Sequence, residues 1–234
     1  MPIMRKEQAG LLFIHIPKTG GSSVEWAFRD AGWDVNFVDG NRRKGSVNYY
    51  RRCTPQHVEA SVLEATYRLD RFDGIFAYVR DPLKRVLSEY VFRSTASKGS
   101  SVDTSAAAFE EWVRASLATT YADPYHLDNH MRPQHEFLVP GTRVYRFEDG
   151  LDAGLEDLKI LTGLDVPPSA PRRNTGEERS GGTPRDVEVN DNVRRLVGSF
   201  YAEDYRRFGY ARPDETDTTT ARAPFTRRGR STMK

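Results

Sequence analysis

Leu11-Leu12-Phe13-Ile14-His15-Ile16-Pro17-Lys18-Thr19-Gly20-Gly21-Ser22-Ser23 joins an apolar run to a glycine-rich turn. The run, ended by Pro17, fits a buried strand. Beyond the turn, Val24, Trp26, Ala27 and Ala31 read as a helix with a hydroxyl cap at Ser22-Ser23. Two glycines let backbone amides approach a ligand, and the free N–H groups and dipole of a helix start favour an anion. Lys18 adds a full positive charge, and the hydroxyls of Thr19, Ser22 and Ser23 add donors. These are the parts of a phosphate cradle. The order is not the nucleoside-triphosphatase loop G-x-x-x-x-G-K-[ST], because Lys18 precedes the glycines. Gly-Gly-Ser-Ser alone would be a plain strand-to-helix turn; a lysine set by a buried strand favours the phosphate reading.

Working outward, residues 75–79 form a second buried run, and Pro82 opens a helix carrying Leu83, Val86, Leu87, Tyr90 and Val91. Thr54-Pro55 reads as an N-cap followed by proline at the first helical position, starting a helix to about Tyr67. Residues 109–117 read as helix, 144–147 as strand, and Leu155, Leu158 and Leu161 as the next helix. A single final helix is expected from Val193 through Phe208, stopped by Gly209. Residues 94–105 and 172–184 are polar and read as loops. Strands alternating with helices predict an α/β fold: one P-loop-like domain over residues 1–212, with a central parallel sheet flanked by helices. Residues 213–234 are rich in Thr, Arg and Pro and read as a disordered basic tail.

The chain has 234 residues, enough for one large domain. It carries 35 basic and 33 acidic residues; the tail holds five and three of these, leaving 30 of each in the body. That balance argues against a nucleic-acid binder, which shows a basic body or stripe. No run approaches the roughly 18 to 20 apolar residues of a membrane span. Residues 1–10 are polar and show no secretory signal. The lone Cys53 excludes an internal disulfide framework and a cysteine-rich zinc site, and points to a reducing, cytoplasmic compartment.

A second motif is Phe76-Ala77-Tyr78-Val79-Arg80-Asp81-Pro82, followed by Arg85 and Ser88. Arg80 lies just past a buried strand, at the edge where open parallel sheets bind ligands. A guanidinium there suits a second phosphate, and Ser88 can donate to the same group. Asp81 reads as structural.

Together the two segments resemble the PAPS-dependent sulfotransferases, PAPS being 3′-phosphoadenosine-5′-phosphosulfate. The resemblance is to the Golgi carbohydrate enzymes, such as heparan sulfate 2-O-sulfotransferase and the chondroitin sulfotransferases, and their bacterial relatives. The family's 5′-phosphosulfate loop is similar to residues 15–23, and its 3′-phosphate motif to Val79-Arg80-Asp81-Pro82 with Arg85 and Ser88. Asp128-Asn129-His130-Met131-Arg132-Pro133-Gln134 resembles a segment shared by many of these enzymes. Two departures stand out: Ser22 replaces a commoner threonine, and there is no membrane anchor. The second implies a soluble, bacterial relative.

The resemblance implies roles. Lys18 would contact the bridging oxygen and the 5′-phosphate, Thr19, Gly20, Gly21, Ser22 and Ser23 would hold that phosphate, and Arg80 and Ser88 would hold the 3′-phosphate. Arg172 and Asn174 would close over the nucleotide. His57, in a His-Val context, would be the general base that receives the acceptor's proton. The sequence places it in the first turn of the helix from Thr54, where the dipole disfavours the imidazolium. Asp128, His130 and Arg132 would contact a sugar-containing acceptor, and Trp112, Tyr121 and Tyr125 are candidates to stack on it. His15 would orient the loop, and His126 and His135 are expected at the surface. The five histidines show no metal-ligand spacing such as H-E-x-x-H, so no metal is expected. The expected reaction is sulfuryl transfer from PAPS to a hydroxyl, leaving PAP, the 3′,5′-bisphosphate. Two rivals remain: a nucleotide-dependent kinase using Thr19 and Asp81 for magnesium, and a non-catalytic nucleotide sensor.

Overall fold

The structure is a computed structural model that describes residues 1–95, 101–171 and 184–215. The leading run forms β2 (Ala9–Ile14), pairing in parallel with β4 (Gly74–Val79) in the register Leu11↔Gly74 to Ile14↔Ala77. β5 (Arg143–Arg146) continues the parallel set beside β4. The central sheet is thus parallel, as expected, and the other edge adds two antiparallel strands. β1 (Ile3–Lys6) pairs antiparallel with β2, and the short β3 (Asp34–Asn36) pairs antiparallel with β1, giving the order β3-β1-β2-β4-β5. Glu7-Gln8 leaves a two-residue connection, which can join only antiparallel strands. A segment read as polar thus forms a hairpin with Met4 in the core.

Alternation along the strands builds two cores. Leu11, Phe13, Phe76 and Tyr78 pack against Val24 and Phe28 of α1 (Gly21–Asp30) and Leu155 and Leu158 of α5 (Leu151–Thr162). Leu12, Ile14, Ala77 and Val79 face the other way. They meet α3 (Pro82–Ser94), α4 (Ala106–Ala122) and α6 (Asp191–Phe200), while α2 (Ala60–Thr66) adds Leu63. Helices therefore cover both faces, as expected.

Three local readings change. The helix expected from Thr54 begins only at Ala60, with Glu59 as its cap, because the Thr54 hydroxyl is engaged by Asp128. α1 is capped by Gly20 in the left-handed region (φ 86°), not by Ser22 or Ser23, which sit in its first turn. The final helix is two helices, α6 and α7 (Ala202–Phe208), broken at Tyr201. Tyr201 is fully buried, and its hydroxyl donates to the Met131 carbonyl at 2.7 Å. Gly209 does end the last helix, at φ 68°. Arg172 and Asn174 lie outside the described residues, as does most of the C-terminal tail. Among the described residues no helix is long and apolar enough to cross a membrane.

Gly154 lets α5 lie close on the sheet. A Cβ there would stand 2.6 Å from the Tyr78 hydroxyl oxygen and 2.8 Å from Tyr145 Cγ. Gly154→Ala should therefore cost about 1–3 kcal/mol in a denaturant melt. An unchanged midpoint would contradict this packing.

Candidate active site

The parallel pairing of β2 and β4 brings both phosphate motifs to one edge of the sheet. They line a cleft of about 2150 Å³ together with Ser88, His15, His57, Asp128 and His130. In the turn, Lys18 (φ 68°) and Gly20 (φ 86°) are left-handed. Ser23 and Val24 give their amides to the Gly20 carbonyl at 3.0 and 3.3 Å. Gly21 and Ser22 open the helix, where amides have no intrahelical acceptor. Gly21 is also demanded sterically: a Cβ would lie 2.1 Å from His15 Nε2. Thr19 departs from expectation. Fully buried, it turns its hydroxyl back to the Ile16 carbonyl at 2.8 Å, so its side chain shapes the turn. The Lys18 ammonium lies 4.0 Å from the centre of the Phe92 ring, and Phe92 in turn stacks on His130.

Arg80 reaches back across the edge. Its Nη1 donates to the Lys18 carbonyl at 3.2 Å, and its guanidinium lies over Phe147 at 4.7 Å. Burial lowers its pKa, and its Nε is buried without a hydrogen-bond partner among the described residues. A buried donor left unmade is costly, so this position fits an incoming anion. Gln134, fully buried, grips the Arg80 backbone at both ends: its Oε1 accepts from the Arg80 amide and its Nε2 donates to the Arg80 carbonyl, each at 2.8 Å. Asp81 caps α3, accepting from the Lys84 amide at 2.9 Å. Arg85 does not line the cleft. It is buried, donating to the carbonyls of His130 and Arg132 at 2.8 and 2.7 Å, with Tyr201 against its charge.

On the other wall three imidazoles stand edge to face, His15 on His57 at 5.0 Å and His57 on His130 at 4.8 Å. Each Nδ1 meets a carboxylate: Glu25 at 2.5 Å, Asp128 at 2.9 Å and Glu89 at 2.6 Å. Asp128 also accepts from the Thr54 amide and hydroxyl and from Arg42. With an ionised Asp128 as acceptor, His57 carries its proton on Nδ1, leaving the Nε2 lone pair available. Burial is the main reason the His57 pKa falls well below the ordinary 6.5; Asp128 opposes that fall, and His130 and His15 add to it. The neutral state expected for His57 therefore has a different origin, since His57 lies outside any helix. The carboxylate comes from a strained turn: Leu127, Asp128 and Asn129 are all left-handed, at φ 52°, 63° and 64°. Asn129 ties this turn down by donating to the His57 carbonyl at 2.7 Å.

Of the expected acceptor contacts, His130 and Asp128 face the cleft, but Arg132 does not line it. Arg132 is buried and bonds Asn129 and Glu136. Tyr125 lines the cleft, Trp112 packs on Tyr90 and Phe109, and Tyr121 is exposed and outside it. His126 is half-buried at the cleft, and His135, also half-buried, binds the fully buried Asp204 at 2.7 Å. Neither is a plain surface residue. His57, Asp128 and His130 place ligand-type atoms within 4.8 Å of one another, a grouping invisible in linear spacing. Their Nδ1 and carboxylate atoms are, however, already paired with Asp128, Glu89 and Thr54. Glu25 and Glu89 have no local signal that distinguishes them from ordinary helix residues, and Gln134, quoted with the third segment, had no role assigned to it.

A sulfotransferase family model matches residues 1–211. The chain belongs to the sulfotransferase family. No curated protein and no solved structure matches it. Membership makes this protein a sulfuryl transferase and agrees with its α/β sheet and edge-bound motifs.

In an NMR titration of the imidazoles, the His57 of this sulfotransferase should still be neutral at about pH 5. His135, whose pKa is raised by its bond to Asp204, should protonate above 6.5. Titration of His57 at or above His135 would contradict the site as described.

Proposed function

We propose that this sulfotransferase moves the sulfuryl group of PAPS to an acceptor hydroxyl, with a sugar-bearing molecule as acceptor. One observation carries the donor reading: the Lys18 turn and Arg80 are in direct contact at one sheet edge, with the Arg80 Nε buried and without a partner among the described residues. A donor with phosphates at its 5′ and 3′ positions matches that pair. The amides at the start of α1 with Ser22 and Ser23 take the 5′-phosphate, and Arg80 with Ser88 takes the 3′-phosphate.

The acceptor then lies on the histidine wall. His57 Nε2 takes the hydroxyl proton as the oxygen attacks sulfur. The bond from sulfur to the bridging oxygen breaks, and its electrons pass to the 5′-phosphate, where Lys18 offsets the charge. Asp128 holds His57 in the base-competent tautomer and stabilises the imidazolium that forms. The chain's contribution is positioning and preorganised charge. His130 and Tyr125 are the cleft residues best placed to meet an acceptor, with no metal in the step.

The kinase reading loses support from two contacts. Thr19 and Asp81, the residues it requires for magnesium, are committed to the Ile16 carbonyl and the α3 cap. The deciding experiment is a thermal shift with PAP and with magnesium-ATP on the wild type and Arg80→Ala. A ligand at about 100 times its Kd adds roughly 2.7 kcal/mol. PAP should raise Tm without magnesium, and Arg80→Ala should abolish the rise. Stabilisation by magnesium-ATP alone would overturn the reading.

A further inference from the structure

The charge balance of the chain conceals one strongly basic segment. Between Asp39 and Glu59 stand Arg42, Arg43, Lys44, Arg51 and Arg52 and no carboxylate. Residues 39–52 form a compact loop closed on itself. Asn48 Nδ2 donates to the Asp39 carbonyl at 3.0 Å, Arg42 to the Arg51 carbonyl at 3.1 Å, and the Ser46 hydroxyl to the Asn41 carbonyl at 2.8 Å. These bonds turn the remaining side chains outward. Val47 is 86% exposed and Tyr50 89%, with Tyr49 about half exposed against Tyr50. Scattered single apolar residues on a surface need no explanation. Here they share one self-closed loop with cations. Arg43 and Lys44 at its tip form no ion pair among the described residues.

We infer that this loop docks the protein on an anionic membrane surface, its cations at the lipid headgroups and Val47 and Tyr50 in the interfacial layer. The inference is independent of the proposed donor and base. Tyrosine prefers the headgroup level of a bilayer, where its ring is in an apolar layer and its hydroxyl is wet. Cations beside exposed apolar groups are the signature of interfacial binding. A soluble polyanion would also attract Arg43 and Lys44 but offers nothing to Val47, and this decides for the bilayer. At its base the loop meets the cleft: Arg42 and Arg52 line it, and Arg42 reaches Asp128. Docking would set the rim of the cleft at the headgroup plane.

Co-sedimentation of the full chain with phosphatidylcholine vesicles, with and without one third phosphatidylglycerol, tests this. Each basic residue near an anionic surface multiplies affinity by about fivefold. The expected result is binding to the anionic vesicles only, weakened by salt. It should fall by about tenfold or more in Arg43→Glu/Lys44→Glu, and again in Val47→Ser/Tyr50→Ser. All four side chains are exposed and outside the cleft, so both variants should keep the wild-type Tm. Absence of binding to anionic vesicles overturns the inference. So does binding that survives Val47→Ser/Tyr50→Ser and is displaced by dextran sulfate, which would mark a site for soluble polyanions.

Discussion

The site depends on one pairing, that of β2 with β4 in parallel. Because the strands run together and end within a residue or two of each other, the turns that follow them leave the sheet side by side. Lys18 and Arg80, 62 residues apart in the chain, are thereby brought within hydrogen-bond distance. An antiparallel pairing would have sent the two motifs to opposite edges. The flanking helices protect this arrangement by burying both faces of the two strands, and α7 adds a distant support. There the buried Asp204 accepts from the amides of Gln134 and His135, and Gln134 holds the Arg80 backbone.

The two walls of the cleft solve opposite electrostatic problems. On the wall of Lys18 and Arg80, positive charge gathers beside the start of α1, and Arg80 is kept in place by an aromatic ring and a carbonyl. That arrangement leaves its Nε without a partner among the described residues. On the histidine wall three carboxylates are buried or half-buried, which would be costly without partners. Each is met by an imidazole and by further donors: Gln56 on Glu25, Thr54 and Arg42 on Asp128, Arg93 on Glu89. Lys18 stands between the walls, its ammonium on the Phe92 ring that also stacks on His130. The left-handed run at residues 127–129 is the strained element of this wall, and the bonds of Asp128 and Asn129 hold it.

What the sequence revealed was what is local. A strand, a glycine turn and a helix start follow one another along the chain, so Lys18, Gly20, Gly21 and Arg80 could be read as edge residues before any packing was known. The misreadings arose where a distant partner competes for a side chain. Thr54 looks like a helix cap, yet Asp128, 74 residues away, takes its hydroxyl. Arg85 belongs to the second motif by spacing, yet two carbonyls of the 130–132 turn draw it into the core. Tyr201 follows helical spacing, yet its bond to Met131 coincides with a break that spacing cannot show. The resemblance pointed to His57, which does line the cleft, but the reason expected for its neutral state was the wrong one. Burial among other histidines, not a helix dipole, lowers its pKa.

On the function proposed, one ligand spans the Lys18 turn and Arg80 and leaves the histidine wall to the acceptor. A crystal structure with PAP tests it most directly. The 5′-phosphate should lie on the amides at the start of α1 and the 3′-phosphate on Arg80 and Ser88, with His57 Nε2 still open to the cleft. A nucleotide bound with its phosphates against His57 and His130, or with Arg80 untouched, would contradict it.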